Sequence, residues 1–252
     1  MLTQNEIKFV KSLAQRKFRQ KYNKFIAEGD KICSELLNAG TYGIFKVYCT
    51  NEWREKHVTV VSLFKEKVTI VTEKELFRLS QLKSPNQALL VLEIPSRLGR
   101  VEDIKKESII YLDEVQDPGN VGTIIRIADW FGIKHVIRST GTADFYSAKV
   151  VQSTMASFAN VKLYSAAFKE LKESLHDHQS VGAVLGGSEL GSFSWPRPSI
   201  IVMGNESKGI TPETLIALDH QIMISGSKNR LADSLNVGIA TALMCQSWYT
   251  NK

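Results

Sequence analysis

Apolar residues recur at two different spacings along the chain, and the change between them divides it into two regions. From residue 5 to residue 40 they fall at Ile7, Val10 and Leu13, and again at Ile26, Ile32, Leu36 and Leu37. This three-to-four-residue rhythm predicts two helices, the second closed by Ala39-Gly40. Strand-like runs follow at 44–48, 58–61 and 88–92, and Thr72 and Glu75 have the spacing of a capping box at the start of a short helix. The segment 94–100 combines Pro95 with Gly99, which break both regular structures, and reads as a linker. The predicted organisation is a first domain over 1–97, a linker over 98–104 and a second domain over 105–252.

Past that linker the rhythm becomes strand, loop and helix in alternation. Ile109-Ile110-Tyr111-Leu112 is apolar without interruption, as a strand covered on both faces must be. A helix bearing Ile124, Ile125, Ala128 and Phe131 follows, then strands at 135–137, 181–185, 200–203 and 221–224, and a last helix from 234 to 248. Such alternation specifies an α/β fold with a mostly parallel sheet.

The 252 residues are 43% hydrophobic and 23% charged, which suits a globular chain with a core of its own. No apolar run reaches membrane-spanning length and the first residues lack a signal-peptide pattern, so a cytoplasmic protein without membrane association is expected. Cys33, Cys49 and Cys245 are scattered and the five histidines show no ligand spacing, so no disulfide and no metal is expected. The net charge of +6 is uneven: residues 1–97 carry 17 Lys and Arg against 10 Asp and Glu, and the rest 15 against 16. The excess is concentrated in the first thirty-odd residues, which suits a phosphate backbone or, equally, a solvated helix face.

In an open parallel sheet, ligands bind at the carboxyl ends of strands, and three strand-to-loop junctions carry unusual polar residues. The first is 113–126, where Pro118-Gly119 turns, Asn120 is placed to cap the next helix, and Arg126 falls in an otherwise apolar stretch. Arg126 reads either as a cation snorkelling to solvent or as part of a site. The second is 200–210, where a buried strand opens into Gly204-Asn205-Glu206-Ser207-Lys208-Gly209. The third runs from Ile222 and Ile224 into 233–238, where Asp233 or Ser234 is placed to cap the final helix. No G-x-G-x-x-G follows a strand and no P-loop is present, which argues against a dinucleotide or nucleoside triphosphate enzyme.

Taken in order, Asp117-Pro118-Gly119-Asn120-Val121-Gly122 with Arg126, Met203-Gly204-Asn205-Glu206 with Gly209, and Ser234-Leu235-Asn236-Val237 resemble the three signature motifs of the SpoU/TrmH family of RNA ribose methyltransferases. The resemblance covers about 105–252, and residues 1–97 resemble, more loosely, the ribosomal-protein-like α/β substrate-binding domain of many members. It implies a SPOUT domain whose C-terminal segment forms a deep trefoil knot, a homodimer, and S-adenosylmethionine as cofactor, held at positions matching Leu185, Gly186, Met203, Gly204, Ile222, Ile224 and Leu235. It implies Arg126 as the catalytic arginine, Asn120 fixing it and the RNA, Glu206 orienting Arg126 or capping nearby backbone, and Ser234 and Asn236 lining the ribose pocket. RNA would enter over the basic first domain, with Arg16, Lys17, Arg19 and Lys21 as phosphate contacts, and DNA would be excluded by the need for a 2′-hydroxyl. The auxiliary domain favours 23S rRNA over tRNA as substrate; a non-catalytic RNA-binding or ribosome-assembly protein of the same fold is the alternative of a different class. Two features depart from the family pattern: Ala156 stands where Gly is usual, and the segment 227–233 is longer than in compact relatives, reading as a substrate-contacting insertion or a surface loop.

Overall fold

The computed structural model describes residues 2–84, 86–95, 101, 104 and 106–251. The expected linker over 98–104 lies, apart from residues 101 and 104, outside them. The chain forms two compact units, one of residues 1–96 with 144–159, the other of 97–143 with 160–252.

In the first unit, α1 (Gln4–Ser12) begins at Thr3, whose hydroxyl and Glu6 form a capping box. Helix α2 (Arg16–Tyr22) ends at Asn23 in the left-handed conformation, and the chain at once becomes strand β1 (Lys24–Glu28). The first stretch therefore holds three helices and a strand rather than two helices: α3 (Asp30–Ala39) comes only after β1. Phe25, Ile26 and Ala27 are all buried and pair antiparallel with 90–92, a partner no local rhythm reveals. Strand β2 (Ile44–Cys49), helix α4 (Asn51–Lys56) and helix α5 (Val58–Val61) follow. The β-branched run at 58–61 is thus helical, contrary to expectation; the Val61 amide donates to the His57 carbonyl and Val60 and Val61 pack inward, so tertiary burial overrides propensity. Strand β3 (Val68–Ile70), helix α6 (Glu73–Leu79), with the expected Thr72–Glu75 capping box, and strand β4 (Ala88–Glu93) complete a sheet of order β1-β4-β2-β3.

The second unit is built on six parallel strands: β5 (Ile109–Leu112), β6 (His135–Arg138), β7 (Lys162–Ser165), β8 (Gln179–Glu189), β9 (Ser199–Met203) and β10 (His220–Met223), in the order β10-β8-β9-β5-β6-β7. The mixed α/β class with a parallel sheet agrees with the sequence reading, and β7 is added to it. Helix α7 (Pro118–Trp130) follows β5, and α9 (Phe168–Ser174), α10 (Pro212–Ile216) and α11 (Val237–Thr250) follow β7, β9 and β10. Between β6 and β7 the chain leaves this unit: residues 144–159, with α8 (Ala148–Thr154), pack with the first unit. Asp144 there pairs with Arg19, and Tyr146 and Phe158 pack against Phe25 in tilted and edge-on contacts. Among the described residues no helix is long and apolar enough to cross a membrane.

Candidate active site

The central strands β5 and β9 run in register, Ile109 beside Ile200 through Leu112 beside Met203, so their loops emerge together at one sheet edge. Buried Asp113 fixes that edge: its Oδ2 accepts from the amide and hydroxyl of Thr211 at 2.7 and 2.8 Å, tying the end of β5 to the cap of α10. The loop after β9 closes on itself, with Asn205 and Gly209 exchanging backbone hydrogen bonds at 2.9 Å, while Asn205 Nδ2 donates to the Glu114 carbonyl at 2.8 Å. Residue 204 must be glycine, because a β-carbon there would lie 2.3 Å from the backbone of Gly209 and Ile210.

Three expected site residues meet in one hydrogen-bonded chain. Asn120 Nδ2 donates to Glu206 Oε1 at 2.9 Å, and Asn236 Nδ2 donates to Asn120 Oδ1 at 3.0 Å. Asn236 Oδ1 in turn accepts from the amides of Gly238 and Ile239. A carboxylate only accepts and helix N-terminal amides only donate, so both Asn side chains have a single workable orientation. Glu206 also accepts from the backbone amides of Gln116 and Asp117, at 3.4 and 3.3 Å. The caps differ from expectation. Asp117, not Asn120, caps α7, and Asn236, not Asp233 or Ser234, caps α11. With Pro118 at the first helical position, Asn120 falls at the third, where its amide is served by Asp117 and its side chain is left for Glu206.

Arg126 is not part of this chain. It lies six residues beyond Asn120 on α7, about 9 Å along the axis and on another side of the helix. It is exposed and, among the described residues, makes no hydrogen bond or ion pair. Glu206 therefore serves backbone and Asn120 rather than orienting Arg126.

Beside the Asn236–Asn120–Glu206 chain lies a cleft of about 570 Å³, within the range of small-molecule sites. Leu185, Met203, Gly204, Glu206, Ile224, Ser234 and Leu235, all singled out from sequence, line it; Gly186 and Ile222 do not. Ile222 is fully buried in β10, and Gly186 sits at φ +89° within a break in the sheet. That break makes the cleft. β10 pairs with β8 at Gln221–Gly182 and resumes at Ile222–Ser188, so residues 183–187 leave the ladder and Leu185 stands 73% exposed. Sequence reading missed this bulge, of which the only local sign is the Gly186-Gly187 pair. Asp113 and Asn205 stood within the motif segments but were given no role of their own, and of the two readings of 227–233 the lining by Arg230, Ala232 and Asp233 places that segment at the cleft wall. No metal-holding cluster of His, Cys, Asp or Glu occurs among the described residues.

In the first unit, Arg16, Lys17 and Lys21 are exposed. Arg19 is not: it is 4% exposed, pairs with Asp144 through Nε and Nη2 at 3.2 and 2.6 Å, and donates Nη1 to the carbonyls of Leu13 and Ala14. Its donors are spent on holding α2 to residue 144, which removes it from the expected phosphate contacts.

Residues 107–246 match the model of the SpoU rRNA methylase family, and residues 4–90 that of an MRM3-like substrate-binding domain. The 23S rRNA (guanosine(2553)-2′-O)-methyltransferase RlmP of Bacillus subtilis is 27% identical, across 95% of this chain and 94% of its own. A TrmH-family structure from Porphyromonas gingivalis superposes over the full length of both chains with TM-score 0.85 and 32% identity. An AdoMet-bound rRNA methyltransferase from Sinorhizobium meliloti superposes with TM-score 0.86 and 28% identity, over 98% of this chain and 95% of that one. With more than half its length in the family's model and the three loops assembled on one sheet edge, the chain belongs to the SpoU rRNA methylase family.

Proposed function

We propose that this protein methylates a ribose 2′-oxygen of structured RNA, 23S rRNA rather than tRNA, with S-adenosylmethionine as donor. The observation that carries the reading is the cleft between the ladder break in β8 and the loop after β9, lined in part by Glu206, the end of the Asn236–Asn120–Glu206 chain. Its residues fit the cofactor: apolar Leu185, Met203, Ile224 and Leu235 suit an adenine, and Gly204 lets the loop after β9 fold tightly against itself to form the cleft wall. When bound, S-adenosylmethionine supplies an electrophilic methyl group on a sulfonium. The rRNA preference rests on the full-length likeness to an rRNA enzyme, which includes the first unit.

Asn120, Glu206 and Asn236 hold three loops in fixed register, and Ser234 on the cleft wall is placed to meet the ribose. A guanidinium presents N–H donors and no acceptor, so Arg126 acts as a donor and not as a base. Exposed and unpaired among the described residues, its guanidinium is free to clamp an RNA phosphate and stabilise negative charge on the 2′-oxygen, whose proton passes to water or a phosphate oxygen. Arg16, Lys17 and Lys21 supply phosphate contacts on the first unit.

The same reading includes the knotted threading of the C-terminal segment, a cytoplasmic location and a homodimer. Support for the dimer comes from α11, which has no charged residue and buries Val237, Met244, Cys245 and Trp248 on one face while exposing Ile239, Leu243 and Tyr249 on the other. Trp130 of the adjoining α7 is 85% exposed. An apolar face of this kind marks an interface. Ribose-methylation mapping of total RNA from a strain lacking the gene tests the function: one 2′-O-methyl group should disappear from 23S rRNA. Loss from tRNA alone would correct the substrate, and no loss anywhere would favour the non-catalytic alternative.

A further inference from the structure

Between Ile7 and Ala27 the chain has no acidic residue, and four aromatic rings of this neighbourhood form a continuous row in the first unit. Phe18 and Tyr22 of α2 are nearly parallel, 12° apart with centroids at 6.2 Å. Tyr22 meets Phe9 of α1 at 5.2 Å, and Phe9 meets Phe45 of β2 at 5.8 Å. Three of these rings carry a lysine: Lys17 Nζ lies 4.8 Å from the Phe18 centroid, Lys21 Nζ 5.3 Å from Tyr22 and Lys24 Nζ 4.4 Å from Phe45.

The fold presents this cluster outward. β2 and β4 pair at Ile44–Leu92 and next at Lys46–Val91, so Phe45 is the extra residue of a β-bulge. Bulges re-aim a side chain, and here a phenylalanine that alternation would have to place on one face is left 43% exposed, with Phe9 linking it to Tyr22, 36% exposed. A core would have taken these rings in; Ile44 and Val47 on the same strand are buried.

We propose that Phe18, Tyr22 and Phe45 form a stacking platform for unpaired nucleobases, with Lys17, Lys21 and Lys24 turning to the flanking phosphates. This rests on the RNA reading above and sharpens it: the first unit selects unpaired nucleotides rather than a helix. A nucleobase offers a ring more than an exposed ammonium does, because stacking on an aromatic side chain exceeds a solvent-exposed cation–π contact. The displaced ammonium keeps its charge and gains a phosphate within the same reach. A duplex cannot use the platform, since its base faces are already stacked. The run of positive charge without acids favours RNA over a protein partner.

The test measures full-length protein by fluorescence anisotropy against a non-self-complementary RNA strand of about 12 nucleotides and the corresponding duplex, a length covering one such site. Tyr22→Leu/Phe45→Leu keeps apolar bulk and removes two π-faces. It should weaken single-strand binding about tenfold or more, leave duplex binding within about twofold, and leave the salt slope unchanged. Lys17→Gln/Lys21→Gln/Lys24→Gln should flatten the salt slope. Circular dichroism and S-adenosylmethionine calorimetry report that each variant is folded. If wild type binds RNA and the leucine variant binds the single strand as tightly, or loses the duplex equally, the platform is wrong and the RNA reading stands. If wild type binds neither RNA, both fall. If the leucine variant changes oligomeric mass and not RNA affinity, the face is a protein interface and the proposal is overturned.

Discussion

Gly204 and Arg19 show how much one position can carry. A methyl group at 204 has no space, since the backbone of Gly209 and Ile210 lies 2.3 Å from where it would stand. Gly204→Ala should force the loop apart and abolish S-adenosylmethionine binding in calorimetry; unchanged affinity would show that the cleft is not the cofactor site. Arg19→Ala removes the guanidinium that Asp144 and two backbone carbonyls share, and should cost about 3–5 kcal/mol in urea denaturation. Lys17→Ala, at an exposed position two residues earlier, should stay within about 0.5 kcal/mol. A count of basic residues does not separate these two, because the partner that buries Arg19 is 125 residues away. For the same reason Asn120 and Asn236 were legible as site residues while their partners were not: the motif supplies the side chains, and only the folded loops supply the 116-residue contact between them.

Whole elements add strain and titration. Helix α8 ends at Met155 in the left-handed conformation, φ 50°, and Ala156 follows at φ 75°. A non-glycine residue there costs about 1–2 kcal/mol, against about 0.5–1 kcal/mol for the extra freedom glycine loses on folding. Met155 is largely exposed, so Met155→Gly should stabilise the protein by about 0.5–1 kcal/mol in urea denaturation; destabilisation would contradict the strain. In the parallel sheet, burial holds His135 below its ordinary titration range, with Glu107 and Tyr164 on its two ring nitrogens. The unfolded chain then takes up protons first, so this contribution is complete above about pH 7 and fades as pH falls towards 5.5. Glu28 in the first unit acts with the opposite sign, because burial raises its carboxyl. The useful readout is therefore the Tm difference between wild type and His135→Gln, which should shrink from pH 7.5 to 5.5; a constant difference would contradict the assignment. Continuous apolar runs made β5 and β9 readable, whereas the helical 58–61 and the bulges in β2 and β8 depend on what packs against them.

At the scale of the molecule, the class and the three loops were legible because each loop is contiguous in sequence and follows a strand, fully buried in β5 and β9. The assignment of 144–159 to the first unit was not, because its contacts are all long-range. The exposed apolar side of α11 predicts a particle of twice the chain mass in light scattering, and Ile239→Asp should shift it to one; a monomeric wild type would contradict the dimer. The central claim is chemical, and one measurement addresses it directly. Purified protein is incubated with methyl-labelled S-adenosylmethionine and rRNA from a strain lacking the gene, the RNA is hydrolysed in alkali, and label is read in the products. A ribose 2′-O-methyl blocks alkaline cleavage, so label should appear in an alkali-resistant dinucleotide from 23S rRNA, and Arg126→Ala should lower its rate about 10²–10³-fold with cofactor affinity unchanged. Label in mononucleotides, which places the methyl on a base, or no transfer to any RNA, would contradict the account.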